Sequence, residues 1–164
     1  MATLTVWKFS TADGAEKALT KLESLQKQEL IQIQDAAIVS WPQGRKHPKT
    51  YQAFSTVGAG ALGGAFWGML FGLIFFVPLF GLLMGATVGA LTGSFNDYGI
   101  NDGFIKDLQN KVTEGTSALF LLTGQVTLDK VEAAFAPEER GELIQSNLST
   151  EQEAKLREDF GAEV

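Results

Sequence analysis

Few side chains in this sequence are suited to catalysis or to binding a metal ion. The chain has 164 residues, no cysteine and a single histidine, His47. The lack of cysteine excludes disulfides, thiolate nucleophiles and cysteine-ligated metals. His47 lies in a basic turn without a neighbouring carboxylate, so we expect a solvated loop residue rather than a ligand or a base. Asp97, Asp102 and Asp107 lack EF-hand spacing, and they are better suited to capping and solvating a helix.

One glycine motif matches the fingerprint of dinucleotide-binding proteins. Gly58, Gly60 and Gly63 satisfy the pattern G-x-G-x-x-G. That site also needs an acidic residue about 20 positions later, and residues 77–84 contain none. The net charge of −6 and the scattered cations argue against a nucleic-acid surface. We therefore predict a protein that is not an enzyme, with no catalytic or metal site, no cofactor, no nucleic-acid partner and no recognisable small-molecule substrate.

The most distinctive segment is an uncharged apolar block at residues 57–92, in which glycine recurs at every fourth position on both sides of Pro78. Proline disrupts a helix interior, so the block predicts two helices that form a hairpin. Its tip is expected to remain in apolar surroundings and comprises Phe75, Phe76, Pro78 and Phe80. The glycines expected to pack helices together are Gly60, Gly64, Gly68, Gly72, Gly81, Gly85, Gly89 and Gly93.

This glycine pattern indicates close packing between helices. Each helical glycine costs about 0.5–1 kcal/mol relative to alanine, and a bare helix face lets a second backbone approach closely. The partner is either the other arm of the hairpin or another subunit. We expect the large side chains of Phe66, Trp67 and Phe71 to face lipid or a neighbouring subunit.

The apolar block also suggests contact with a membrane. A straight helix of this length would reach roughly 54 Å, against about 30 Å of hydrocarbon. A re-entrant hairpin and a thin two-pass hairpin both remain open, as does a hairpin buried in a soluble oligomer. Arg45, Lys46 and Lys49 precede the block, and the first residues lack a basic segment followed by an apolar one. We expect the polar part to lie on the cytoplasmic side.

The flanking sequence predicts the elements that carry this block. Before it, residues 3–9 and 36–41 read as strands, a helix capped by Ser10 or Thr11 lies between them, and residues 49–56 return as a hairpin arm. After it, a helix ends at Gly115, and residues 117–122 form an apolar strand covered on both faces. A helix from Thr127, a strand at 142–148 and a final helix with a capping box at Thr150 and Glu153 follow.

The order of these elements is strand, helix, strand on each side of the block. Two such units predict an α+β ferredoxin-like domain with an inserted apolar glycine-zipper helical hairpin. The first half covers residues 1–56, the hairpin 57–93 and the second half 94–164. Both ends of the hairpin must lie on the same side of any membrane, because the two halves share one sheet.

Four runs of this sequence resemble a known family. They are GAGALGGAFWG at 58–68, GATVGALTG at 85–93, GINDGFIK at 99–106 and SALFLL at 117–122. Together they are similar to the DUF1269 family of bacterial membrane proteins of unknown function. The resemblance implies a protein of the bacterial inner membrane without an assigned reaction, and it supplies no catalytic residues.

The leading hypothesis is a non-enzymatic, self-associating protein, anchored to a membrane or assembled through the hairpin, with a scaffolding or membrane-organising role. Its partners would be further copies of itself and membrane lipid. An oligomeric pore is an alternative, although no charged residue lies between Lys49 and Asp97 to line a conduit. A soluble oligomeric binding module that buries the hairpins in a common apolar interior is the other alternative.

Overall fold

The computed structural model describes residues 2–28, 33–46, 48–52, 64–76, 98–100, 102–134 and 142–160. The strands are β1 (Ala2–Phe9), β2 (Ile33–Ser40), β3 (Lys49–Gln52), β4 (Ser117–Gly124) and β5 (Glu142–Leu148). The α-helices are α1 (Gly14–Lys27), α2 (Gly64–Phe71), α3 (Asp102–Lys111), α4 (Gln125–Ala134) and α5 (Thr150–Phe160). A π-helical segment, Gly72–Phe76, continues α2, and we call the two together helix 64–76. Of the predicted features, His47, Asp97, Gly58, Gly60, Gly63, Pro78, Phe80, Gly81, Gly85, Gly89 and Gly93 lie outside the described residues.

The described strands form a five-stranded antiparallel sheet in the order β3-β2-β4-β1-β5. Strand β1 pairs with β4 along its whole length, from Ala2 opposite Gly124 to Phe9 opposite Ser117. Strand β5 adds to the other side of β1, and β2 adds to the other side of β4. Strand β4 is therefore central, as its continuous apolar sequence predicts.

Alternate side chains of β4 enter two separate cores. Phe120 and Leu122 belong to the core on what we call the front face, whereas Leu119 and Leu121 belong to the core on the back face. The front core also takes side chains from helix 64–76, α3 and α5. The back core takes side chains from α1 and α4. The molecule is thus an α+β protein whose sheet is covered by helices on both faces.

The start of α1 is held by the sheet instead of by the predicted cap. The N-cap residue is Asp13, without a side-chain capping hydrogen bond, so the prediction of Ser10 or Thr11 is wrong. The hydroxyl of Ser117 accepts a hydrogen bond from the backbone N–H of Ala15 at 2.9 Å and donates one to the carbonyl of Thr11 at 2.7 Å. A strand side chain thereby satisfies an N–H group that a cap would otherwise satisfy.

The final helix does have a capping box, one residue earlier than predicted. Ser149 Oγ accepts from the Gln152 N–H at 3.1 Å, and Gln152 Oε1 accepts from the Ser149 N–H at 2.9 Å. The glutamine reproduces the reciprocal pair of hydrogen bonds that Thr150 and Glu153 were expected to form.

The remaining elements agree with the sequence patterns with small shifts of boundary. The predicted apolar stripe Ile100, Phe104, Leu108 and Val112 is buried. Gly115 follows α3 with a φ of 87°, in the left-handed region that glycine tolerates best. Helix α4 begins at Gln125, ahead of the expected start.

Candidate functional site: helix 64–76 on the sheet

Helix 64–76 is the described part of the apolar block, and its aromatic side packs on the front face of the sheet. Trp67, Phe71 and Phe75 recur at every fourth position, which aligns them on one helix face. The Trp67 and Phe71 rings stack with centroids 5.8 Å apart. Both also make edge contacts with Phe120 of β4, at 6.2 Å and 5.0 Å. The helix is therefore part of the domain core.

This packing differs from the predicted orientation of the aromatic residues. Phe66, Trp67 and Phe71 were expected to face lipid or another subunit, yet Trp67 and Phe71 are only 2% and 3% exposed within this single chain. The physical reason is that the front face offers them Phe120 in edge-on geometry, which is favourable for aromatic pairs. The side chain of Phe66 lies outside the described part.

Asp35 of β2 is a buried carboxyl group that binds this helix. Its Oδ2 accepts a hydrogen bond from Nε1 of Trp67 at 3.2 Å, and its Oδ1 accepts one from the backbone N–H of Ala36 at 2.8 Å. The exposed fraction of Asp35 is 0%. A polar group without hydrogen bonds would be costly at this depth, so the indole N–H is well matched to it.

An irregularity in β2 brings Asp35 to the front face. Ile33 is opposite Thr123 and Asp35 is opposite Leu122, so two steps along β2 correspond to one step along β4. Such a bulge reverses the alternation of side chains. Ile33 consequently belongs to the back core, while Asp35 reaches Trp67 of the front core.

The π-helical segment at the end of the helix is held from two sides. The Gln109 side-chain amide of α3 donates a hydrogen bond to the carbonyl of Leu73 at 3.3 Å. Trp41, just after β2, meets the Phe75 ring edge-on with centroids 6.3 Å apart. Phe75 is buried within this chain, and its place at the tip of a hairpin stays a prediction. Phe76 is the last residue of the segment, and its side chain is not described.

Two of the predicted packing glycines lie on the other side of this helix. Gly68 is exposed and Gly72 is partly exposed, and no described atom comes within 4 Å of a Cβ built on either. The described surroundings of Gly68 and Gly72 therefore leave room beside the helix. Gly64 is the first residue of α2.

The described residues offer little to hold a metal ion. No group of three or more His, Asp or Glu side chains within them is arranged to do so. Asp107 is exposed on α3, and Asp102 is the first residue of that helix. Within the described part of the chain, the buried Thr123 Oγ1 has no hydrogen-bond partner.

The contribution of Asp35 was not anticipated from the sequence. It precedes the apolar run Ala36 to Trp41 and reads as the polar boundary of a strand. The one available sequence signal for this contact was an acidic residue, Asp35, near the start of a strand, together with an indole N–H donor, Trp67, in the apolar block. Sequence periodicity alone does not reveal a bulge, so it does not place that carboxyl group in the core.

None of the described helices is both long enough and apolar enough to cross a bilayer. No curated protein and no solved structure matches the chain. One family of proteins of unknown function, DUF1269, matches residues 61–161, which is more than half of the sequence and includes helix 64–76 and all elements after it. The chain therefore belongs to the DUF1269 family.

Proposed function

We propose that the protein is non-enzymatic and self-associating, and that it acts as a scaffold at a membrane. The observation that carries this proposal is the position of Gly68 and Gly72. They lie opposite the buried aromatic side of helix 64–76, where no described atom would contact an added Cβ. A second copy of the chain can approach such a bare strip closely and gain dispersion and weak Cα–H···O contacts.

The cost of these glycines supports a role in helix contact. Each one destabilises a helix by about 0.5–1 kcal/mol relative to alanine. Neither position has a positive φ, and neither is crowded by described atoms. Backbone strain and close contact with the sheet thus do not explain glycine at these positions, whereas contact with a second helix does.

The domain that presents this helix is proposed to be ferredoxin-like. Without β3, the strand order is β5-β1-β4-β2, with antiparallel neighbours throughout. Helices α1 and α4 follow β1 and β4, respectively, and both contribute to the back core. This arrangement of two β-α-β units supports the assignment, with β3 as an additional edge strand.

The membrane part of the proposal is based on sequence. Residues 57–92 contain no charged side chain, and three cations precede them. These features support lipid contact with the polar domain on the cytoplasmic side. The burial of Trp67 and Phe71 in the chain's own core favours a second candidate, a soluble assembly whose helices cover one another.

Light scattering after size-exclusion chromatography tests self-association, with full-length protein in mild detergent and without it. We expect an oligomer for the wild type and a smaller species for Gly68→Leu, because leucine would occupy the space that the second helix needs. Ala133→Leu is the matched control, since Ala133 is exposed on another helix, α4. An unchanged oligomer for Gly68→Leu, or a monomeric wild type under both conditions, would overturn the proposal.

Extraction of cell membranes with alkaline carbonate separates the two candidates. Retention in the pellet until detergent is added is expected for membrane anchoring. Complete release without detergent, combined with an oligomer in solution, would replace the membrane scaffold by the soluble assembly.

A further inference from the structure

We propose that the turn between β2 and β3 binds the headgroups of anionic phospholipids. Arg45 and Lys46 lie in this turn and Lys49 is the first residue of β3, and we call these three cations with Trp41 the basic turn surface. The inference rests on the membrane association proposed above and adds the lipid class and the residues that recognise it.

The basic turn surface has a defined backbone shape. The N–H of Trp41 donates to the Thr116 carbonyl at 2.9 Å, and the Trp41 carbonyl accepts from the Gly115 N–H at 2.6 Å. The Trp41 indole Nε1 donates to the carbonyl of Arg45 at 2.9 Å. Gly44 has a φ of 87°, which allows the tight reversal. These contacts tie the cations to the end of the sheet, so less ordering is needed when a headgroup binds.

The position of this surface points to a membrane. Trp41 meets Phe75 edge-on at 6.3 Å, so the turn lies beside the last residues of helix 64–76. In the β2–β3 pair, Lys49 is opposite Ser40. Ser40 immediately precedes Trp41 in the sequence, so Lys49 lies at the same end of the sheet as Trp41. The sequence that continues from Phe76 remains uncharged as far as residue 92. Cations and a half-buried tryptophan beside an apolar segment are typical of the headgroup region.

The charge of this surface is opposite to that of the whole chain. Arg45, Lys46 and Lys49 are exposed, and none of them forms an ion pair with another described residue. The adjoining turn at residues 113–116 contributes one carboxylate, Glu114, so positive charge remains in excess. The net charge of −6 disfavours a large polyanion that spans the protein, such as nucleic acid. A lipid headgroup needs only this local surface.

Vesicle sedimentation with full-length protein tests the inference. The vesicles contain either phosphatidylcholine alone or phosphatidylcholine with phosphatidylglycerol. Each cation near an anionic surface contributes about a fivefold change in partitioning. We expect the wild type to prefer anionic vesicles by at least about tenfold, and Arg45→Gln/Lys46→Gln/Lys49→Gln to lose that preference. Salt at about 0.5 M should also abolish it, because it screens exposed charges.

The control is Lys21→Gln/Lys27→Gln/Lys130→Gln, which changes the net charge by the same amount as the triple substitution in the basic turn surface. These lysines are exposed on α1 and α4, which cover the opposite face of the sheet. The control must retain the preference, and circular dichroism must show that both variants are folded. Equal binding of the wild type to both vesicle types would overturn the inference but not the proposed scaffold, which sizing tests separately. Binding to neither type, or to a DNA oligonucleotide instead, would overturn it as well.

Discussion

The Nε1 atom of Trp67 donates a hydrogen bond to Oδ2 of Asp35 over 3.2 Å, and both side chains are buried. The bond joins a bulged strand to a helix that carries no charged residue. Dispersion contacts alone would allow an apolar helix to slide or rotate on an apolar sheet, because such contacts have little direction. A carboxyl group that needs a donor fixes one position along the helix axis. Together with the edge-on contacts of Trp67 and Phe71 with Phe120, this hydrogen bond favours the orientation in which Trp67 faces inward and Gly68 outward.

Trp67→Phe is expected to lower the free energy of unfolding by about 2 kcal/mol, because a buried oxygen of Asp35 loses its indole donor. Asp35→Leu in the Trp67→Phe background should restore part of the loss, since the carboxyl group is removed together with its missing donor. Urea unfolding of the two single variants and the double variant gives the coupling between the two residues.

Trp7→Phe is the matched control for that substitution. Trp7 is equally buried, but its Nε1 donates to the neutral hydroxyl of Thr5 at 3.2 Å. Its loss should cost about 1 kcal/mol, as is usual for a neutral pair. If the two phenylalanine variants are equally stable and the Asp35 and Trp67 effects are additive, the hydrogen bond does not position the helix.

Alanine substitutions should separate glycines needed for the fold from glycines available for association. Gly68→Ala and Gly72→Ala are expected to leave thermal stability unchanged or to raise it by about 0.5–1 kcal/mol each, because alanine favours helix and no described atom obstructs its Cβ. Gly14→Ala should destabilise by about 1–3 kcal/mol, since its Cβ would lie 2.5 Å from the Cβ of Phe9.

Calorimetry of the three alanine variants under monomeric conditions provides the measurement. Destabilisation by Gly68→Ala as large as that by Gly14→Ala would contradict the outward position of Gly68. Tolerance of Gly14→Ala would show that the start of α1 can move away from β1.

Local patterns were sufficient to predict the elements around the apolar block. The four-residue spacing of Ile100 to Val112 arises from one buried helix face, and the β-branched and aromatic residues of Thr3 to Phe9 indicate a strand by composition, so both can be read along the chain. The continuous apolar run of β4 likewise reflects its two covered faces. These patterns depend on which side chains are buried, not on which element covers them.

The position of helix 64–76 could not be predicted in this way. Its sequence is apolar on every side, so the glycine spacing predicted a face for helix packing but did not show which face the sheet covers, and Trp67 and Phe71 are buried in the chain's own core instead of facing lipid or another subunit. Their actual partners, Asp35 and Phe120, lie in strands far away in the sequence. The same holds for Ser117, which replaces a local cap of α1 from a distant strand. Such contacts depend on tertiary packing, which local propensity does not contain.

The ion pair between α3 and β5 predicts a defined pH dependence. Lys111 Nζ lies 2.9 Å from Glu142 Oε1, and both side chains are substantially exposed. The hydrogen bond from Lys111 holds the pKa of Glu142 below its ordinary value of 4.5, and the same bond raises the pKa of Lys111 above 10.5. The ion pair therefore contributes its full stabilisation at pH values between the two ordinary pKa values, 4.5 and 10.5. Its contribution is lost as the pH falls through the lowered pKa of Glu142 or rises through the raised pKa of Lys111.

Glu142→Gln should consequently be slightly less stable than the wild type near pH 7, and the difference should shrink as the pH falls below 4.5. Urea unfolding at pH 3, 5 and 7 measures this, and about 0.5 M salt should reduce the difference at pH 7, because exposed pairs are screened. Glu114→Gln is the control, as Glu114 is an exposed carboxylate outside the described ion pairs. A difference for Glu142→Gln that grows on acidification would show that the carboxylate destabilises the fold and that α3 is held to β5 by packing alone.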